Sequence, residues 1–250
     1  MPVELSIVIP ALNEADRLPP SLDLIFAYLS RNPEWLPAEL IVVDDGSNDG
    51  TAEVVARVRP CDGARLKTLI HPRNLGKGAA VRSGFGASSG SWVLLSDADL
   101  SAPIEEISVL RSAAAEGGVV IGSRAINRRL VETRQPVYRD LMGRTFNLVV
   151  RLLALGDLYD TQCGFKLFPG DLARRLAAAQ RLDGFAFDVE LLMLARIRGH
   201  AIHEVGVRWR HVEASRVAPV HHAFEMLRDL LRLWWWRTTG QLSERADVVQ

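Results

Sequence analysis

Residues Trp92–Glu106 read WVLLSDADLSAPIEE. Trp92 to Leu95 form an apolar run of strand length, and the chain then sets two carboxylates, Asp97 and Asp99, on either side of Ala98. A short apolar run bounded by turn residues reads as a strand buried on both faces. One acid after a strand is ordinary, but two so close repel each other unless a cation is shared. The stretch therefore predicts a buried strand whose carboxyl end faces a ligand.

Other strands end in a similar way. LSIVIP (5–10), ELIVVDD (39–45), LKTLI (66–70) and VVIGSR (119–124) repeat the apolar run. Between them, 16–30, 51–58, 78–87 and 104–115 have helical composition, and DGSNDGT and SAP supply turn and N-cap residues. Strand alternating with helix predicts an α/β fold, a mostly parallel, doubly wound sheet flanked by helices. Ligands of such sheets gather beyond the carboxyl ends of the strands. Asn13 and Glu14 follow the first strand, Asp44 and Asp45 the second, Asn74–Gly78 the third, Asp97 and Asp99 the fourth, and Ser123 and Arg124 the fifth. Each has a plainer reading too. DDGSNDGT makes turns and caps, Glu14 caps a helix, and NLGKG matches neither the P-loop nor the dinucleotide fingerprint. The acidic pair is harder to explain away: carboxylate oxygens with positions left open for phosphate describe a magnesium or manganese site, a DxD motif in sequence terms.

Composition narrows the rest. With 250 residues, 48% of them hydrophobic, the chain fills an ordinary core, and 30 basic against 30 acidic residues argue against a nucleic-acid binder. Cys61 and Cys163 stand far apart, without metal-ligand spacing, which favours a reducing compartment over a disulfide framework. MPVELSIVIP lacks the features of a secretory signal, and no apolar stretch reaches the ~20 residues of a spanning helix. In the second half, 137–155 reads as helical, DTQCGFKLFPG (160–170) as a break, 171–179 and FAFDVELLMLARIRG (185–199) as helices, and HAIHEVGVRWRH (200–211) as a strand. There is no linker and no repeat, so one domain is expected over 1–218, with a first half of about 1–123 and a second of about 124–218.

VIPALNE, VVDDGSNDGT, NLGKGAAVRSG, DADLSAP and GSR together resemble the inverting, nucleotide-sugar-dependent glycosyltransferases of family 2, with the GT-A fold. DTQCGFKLF, FAFDVELLMLA and EVGVRWRHVEASRVAP resemble the dolichyl-phosphate β-glucosyltransferases and their bacterial polyprenyl-phosphate relatives. The likeness runs from Leu5 to Arg237 and implies a nucleotide-sugar half over about 1–123 and an acceptor half over about 124–218. It implies that Pro10, Leu12, Glu14 and Asp45 hold base and ribose, with Asp44 a lesser candidate. Asp97 and Ala98 then face the donor sugar, Asp99 binds the metal that bridges the diphosphate with Asp97 beside it, and Lys77 adds charge near the phosphates. Arg124 and Arg139 map to arginines that contact the acceptor phosphate. Asp160, with Gln162, falls in a motif at the active-site edge, as an orienting residue or a base. The resemblance also places the helix of Asp188 and Glu190 near the donor sugar, though both acids fit a purely structural role; His211 and Ser215 fit a loop over the site, and His211 fits a satisfied surface histidine at least as well.

From Arg124 to Arg151 the chain holds seven arginines against two acids, a net of plus five. Arginine's planar fork suits phosphate; for Arg128, Arg129 and Arg151 a solvated helix face is the simpler reading. Cys163 reads as a buried small hydrophobe. Val220, Ala223, Phe224, Leu227, Leu230, Leu231, Trp234 and Trp235 form an apolar stripe at helical spacing, so 219–250 reads as an amphipathic membrane-interface helix and tail, or as a helix packed on its own domain or a partner. The expected protein is a metal-dependent (Mg or Mn) glycosyltransferase, peripheral at the cytoplasmic face of the membrane, not secreted and without a transmembrane segment. It moves a hexose, glucose from UDP-glucose first, to a polyprenyl or dolichyl phosphate with inversion; a separate membrane protein is a possible partner, nucleic acid is not. The rivals are a polyprenyl-phosphate mannose synthase, a family member with another donor or a hydroxyl acceptor, and a nucleotide-sugar-binding or membrane-recruiting module without turnover.

Overall fold

A computed structural model of the chain describes residues 2–114, 118–133, 147–210 and 219–243. Seven strands form one sheet in the order β3-β2-β1-β4-β7-β5-β8: β1 (Leu5–Ala11), β2 (Ala38–Asp44), β3 (Ala64–Ile70), β4 (Trp92–Leu95), β5 (Val119–Ser123), β7 (Lys166–Pro169) and β8 (Ile202–Gly206). β1 lies parallel to β2 and β4, β2 to β3, and β5 to β8, while β7 runs antiparallel between β4 and β5. The doubly wound, mostly parallel sheet is as expected. All five predicted first-half strands form, and the parallel ones bring their carboxyl ends to one edge.

Strand periodicity splits the core in two, because successive side chains point to opposite faces. Val8, Ile41, Val43, Val93 and Leu95 meet helices on one face; Leu5, Ile7, Ile9, Leu40 and Val42 meet helices on the other. The second face is covered by α1 (Leu18–Arg31), α2 (Thr51–Val55) and α4 (Ile107–Ala113). The first carries α3 (Lys77–Gly86), α5 (described over 147–153), α6 (Gly170–Ala179), α7 (Phe187–Ile197) and α8 (Pro219–Thr238). Leu230 and Leu233 of α8 are fully buried in the same cluster as Phe85 and Phe168. The segment read as a separate interfacial helix is thus anchored in the domain by part of its length.

Two local expectations change. DTQCGFKLFPG is not only a break: it contains β7, hidden in the sequence because its first residue is a lysine. Lys166 is completely buried, donating to Asp188 Oδ1 and to the Cys163 carbonyl, both at 2.5 Å. HAIHEVGVRWRH is not one strand but two. β8 stays in the main sheet, while β9 (Trp209–Arg210) pairs with β6 (Val131–Thr133) in a separate two-stranded sheet. Arg128 and Arg129 belong to a single 3-10 turn, 128–130, rather than to a helix face, and Asn127 caps that turn. The rest of the expected 137–155 helix, before 147, lies outside the described residues.

Candidate active site

The loops after β1 and β2 are stitched together by short polar side chains. Asn13 (φ +55°) donates its N–H to Ser47 Oγ, Glu14 donates its N–H to Thr51 Oγ1, and Asn13 Oδ1 accepts from the Asn48 N–H. Asp44 Oδ1 accepts from Ser47 N–H at 2.9 Å, so Asp44 is a turn acceptor. Its neighbour Asp45 does something else. Its buried carboxylate reaches the loop after β3, taking His71 Nδ1 (2.6 Å), Leu75 N–H (3.0 Å) and Gly76 N–H (2.8 Å). Three strand ends are thereby locked into one wall.

That wall continues into α3. Gly76 sits at φ +108°, and a Cβ there would lie 2.4 Å from the Asp183 carbonyl; the Gly78 N–H donates to the same carbonyl at 2.7 Å. The glycines of NLGKG are required by close backbone approach, and they start α3 so that Lys77 points at β4. Lys77 Nζ donates to Asp97 Oδ1 at 2.7 Å. Burial alone would drive both groups toward neutrality, but the nearby charges prevail: Asp97, Asp188 and Asp99 hold Lys77 above its ordinary value, while Lys77, Lys166 and Arg124 hold Asp97 below its own. Asp99 Oδ1 accepts from the Ser101 N–H at 2.9 Å, across a turn that needs Leu100 at φ +46°.

Among the described residues no group of three or more His, Cys, Asp or Glu side chains could cage a metal. The donor set nevertheless fits a hard divalent cation of the kind that takes one or two carboxylates and completes its shell with phosphate oxygens and water. Asp99 fits best, because Lys77 already occupies one oxygen of Asp97. The other oxygen of Asp97 lies against Gly164, where a Cβ would fall 2.0 Å away. Gly164 belongs to GFK, so the site depends on that motif for room as well as for the buried Lys166.

A cavity of about 690 Å³ joins these parts. Pro10, Leu12, Glu14, Asp45, Lys77, Asp97, Ala98 and Asp99 all line it, so the eight leading donor candidates share one space, while Asp44, the lesser candidate, is not part of its lining. The rest of its lining was missed by sequence reasoning: Arg181–Phe185, and Glu225, Arg228, Asp229 and Arg232 from α8. The 181–185 loop is held by Glu190, which accepts the N–H groups of Arg181 and Leu182 at 2.8 Å each. Glu190 thus has the structural role the sequence allowed it. Asp188 pairs with Lys166, and burial pushes its carboxyl up, against the pull of Lys166 and Lys77. The sequence signal available for α8 was the pair Arg228 and Arg232, one turn apart on the flank of the apolar stripe.

Arg124 and Asp160 do not line this cavity. Asp160, 2% exposed, takes Nε and Nη2 of Arg124 at 2.7 Å each and the Arg124 N–H at 2.9 Å. Both oxygens of Asp160 are used, and Glu204 fixes its backbone through the N–H groups of Tyr159 and Asp160. Burial works against the charged form of Asp160, but Arg124 and Lys166 outweigh it and keep the carboxyl below its ordinary value. This geometry makes Asp160 an orienting partner of Arg124 and gives no support to a base. Cys163 is buried and its thiol is pushed up to about 12, first by burial and then by Asp160, so it is neutral at physiological pH. Arg139, His211 and Ser215 lie outside the described residues.

A mostly parallel sheet with helices on both faces and an acidic pair at a strand end opening on a large polar cleft is the architecture of a nucleotide-sugar transferase. Residues 6–174 match the family model described as glycosyl transferase family 2, and the chain belongs to that family. It is 36% identical over 244 residues to a dolichyl-phosphate beta-glucosyltransferase of Drosophila melanogaster, covering 93% of this chain and 74% of that one, and 34% identical to the Homo sapiens enzyme of the same name, covering 91% and 74%. Among solved structures it resembles glucosyl-3-phosphoglycerate synthase from Mycobacterium tuberculosis in complex with UDP, with a TM-score of 0.65, 21% identity and coverage of 92% of this chain and 80% of that one. Mannosyl-3-phosphoglycerate synthase from Rubrobacter xylanophilus is equally similar in fold, with a TM-score of 0.65, 20% identity and coverage of 96% and 75%. The chain is a glycosyltransferase of GT-A fold.

Proposed function

We propose that this glycosyltransferase moves glucose from UDP-glucose, with inversion, onto a polyprenyl or dolichyl phosphate at the cytoplasmic face of a membrane. The observation that carries the reading is that all eight expected donor residues line one cavity, in a chain whose relatives are named for this reaction. In this reading Pro10, Leu12, Glu14 and Asp45 hold the nucleoside, and Asp99, with the second oxygen of Asp97, holds magnesium or manganese. Such a cation stabilises the departing diphosphate as a Lewis acid. A related fold has been crystallised with Mn2+ and UDP-glucose, which supports the choice of donor and metal.

One oxygen of the acceptor phosphate attacks C1 from the face opposite the leaving group. The C1–O bond to the β-phosphate breaks, UDP departs, and the new linkage is β. A lipid phosphate is already ionised at neutral pH, so no proton has to be removed. The chain's task is to place it, and orientation of reactants accounts for much of an enzyme's advantage. Arg124, aligned by Asp160 and stacked 5.5 Å from the centre of the Trp209 ring, is the acceptor-phosphate residue in this reading, with Arg139 as its partner. Membrane contact is made by α8: Phe224, Leu227, Leu231, Trp234 and Trp235 are exposed on one side of the helix, an apolar face typical of interfacial binding. Among the described residues no helix is long and apolar enough to cross a membrane.

The test is incubation with UDP-glucose, Mg2+ or Mn2+, and dolichyl or undecaprenyl phosphate in detergent. Formation of UDP together with a glucosylated lipid phosphate, dependent on metal and abolished by chelator, is expected. UDP-glucose left intact, with turnover of GDP-mannose instead, would overturn the choice of donor; product only with a sugar hydroxyl would overturn the acceptor.

A further inference from the structure

α8 has three distinct sides. Leu230 and Leu233 are buried in the domain, while Phe224, Leu227, Leu231, Trp234 and Trp235 face outward. Between these two sides lies a polar flank on which Arg228 and Arg232, one helical turn apart, meet the cavity that holds Asp97 and Asp99. Both side chains are about half exposed, 51% and 52%, and each touches Asp229 Oδ1 through one nitrogen, at 3.4 and 3.3 Å. Among the described residues Asp229 is the only ion-pair partner of either. A guanidinium carries five N–H donors in a planar fork, so a single long contact leaves most of each fork for a ligand.

The other charges of the cavity define what that ligand is. Asp97 and Asp99 repel an anion, and Lys77, the cation nearest to them, is committed to Asp97 at 2.7 Å. Even with a divalent ion on the acidic pair, a diphosphate carries more negative charge than Lys77 and that ion can offset; of the cavity's other cations, Arg17 pairs with Glu14 at 2.6 Å and Arg181 stacks on the Trp236 ring, which leaves Arg228 and Arg232. Arg124 does not line the cavity. We propose that Arg228 and Arg232 contact the donor's diphosphate, so that α8 is part of the donor site as well as an anchor of the domain. This rests on the reading of the cavity as a nucleotide-sugar site.

The test uses the full chain and compares UDP with UMP, each with Mn2+, by titration calorimetry. Wild-type protein binds UDP more tightly than UMP. Arg228→Gln/Arg232→Gln is expected to weaken UDP by about tenfold or more while leaving UMP within about twofold, because each lost charge-assisted bond is specific to the second phosphate. Gln still donates to Asp229, so thermal unfolding stays near wild type; if the double variant loses its transition, the two single variants are read in the same way. Lys at both positions restores part of the UDP preference. Arg237→Gln, on the same helix but bonded to the Ala154 carbonyl, changes neither affinity. An unchanged ratio of UDP to UMP affinity overturns the proposal, as does a rise confined to the KM of the lipid phosphate, which would assign the arginines to the acceptor. A wild-type chain that binds neither nucleotide would instead remove the nucleotide-sugar reading itself.

Discussion

At the residue scale, the acidic pair divides its labour. Asp97 is balanced by Lys77, whereas Asp99 uses one oxygen to close its own turn and lines the cavity. Asp99→Asn keeps an acceptor for the Ser101 N–H, so the fold is expected to hold while transfer falls by about a hundredfold or more. UDP release and thermal unfolding, measured on the same preparation, check both halves. Glu39 is a structural counterpart far from the cleft. It is 1% exposed and accepts from Ser6 Oγ, the Ser89 N–H, Ser89 Oγ and Lys67 Nζ. Burial pushes its carboxyl up, but those bonds prevail and hold it below the usual carboxylate value of 4.5. A carboxyl lowered by folding adds stability that is complete above its unfolded pKa and disappears as pH falls through the folded one. Glu39→Gln is therefore expected to cost about 2 kcal/mol at pH 7 and to flatten the loss of stability below about pH 4.5. Urea titrations at a series of pH values measure it; parallel curves for the two proteins would contradict it.

At the element scale, α3 shows how a glycine-rich stretch that matches no phosphate-loop pattern still builds a site. The helix lies directly on β1 and β2. At Gly84 a Cβ would come within 2.3 Å of Val8 Cγ1 and 3.2 Å of Val43 Cγ2. Both valines are fully buried on crowded strands. Gly84→Ala is expected to push α3 outward and cost about 2 kcal/mol in chemical unfolding, with Lys77 moved away from Asp97 and activity reduced more than stability alone explains. α8 supports a second expectation. Trp234→Ser/Trp235→Ser removes exposed rings only, so sedimentation with phospholipid vesicles should fall several-fold while the unfolding midpoint holds. A large drop in that midpoint would mean that the rings pack against protein instead.

At the scale of the whole molecule, much of this was legible in the chain. Apolar runs ending in Asn, Asp and Glu marked the strands and their ligand-bearing ends, because strands buried on both faces leave polar residues only where they leave the sheet. β7 was not legible. A lysine reads as solvent-exposed, and only the fold brings Asp188, 22 residues on, into contact to make its burial tolerable. Asp45 was picked from a turn-rich octet for the nucleoside, but its work as a clasp on the third loop depends on β2 and β3 lying side by side and had no local signal. The Arg124–Asp160 pair spans 36 residues, and no local pattern joins its members.

By itself the sequence determined the α/β class, the presence of the first five strands and the family, since these follow from short-range periodicity and from motifs read residue by residue. Tertiary structure alone decided which polar groups share a space. It brought Asp97 and Asp99 to one cavity with two arginines of a helix more than 120 residues away, split the apolar stripe of that helix into a buried and an exposed side, and gave Asp160 to Arg124. The physical reason is that charges act through distance, and distance between remote segments exists only once the chain has folded.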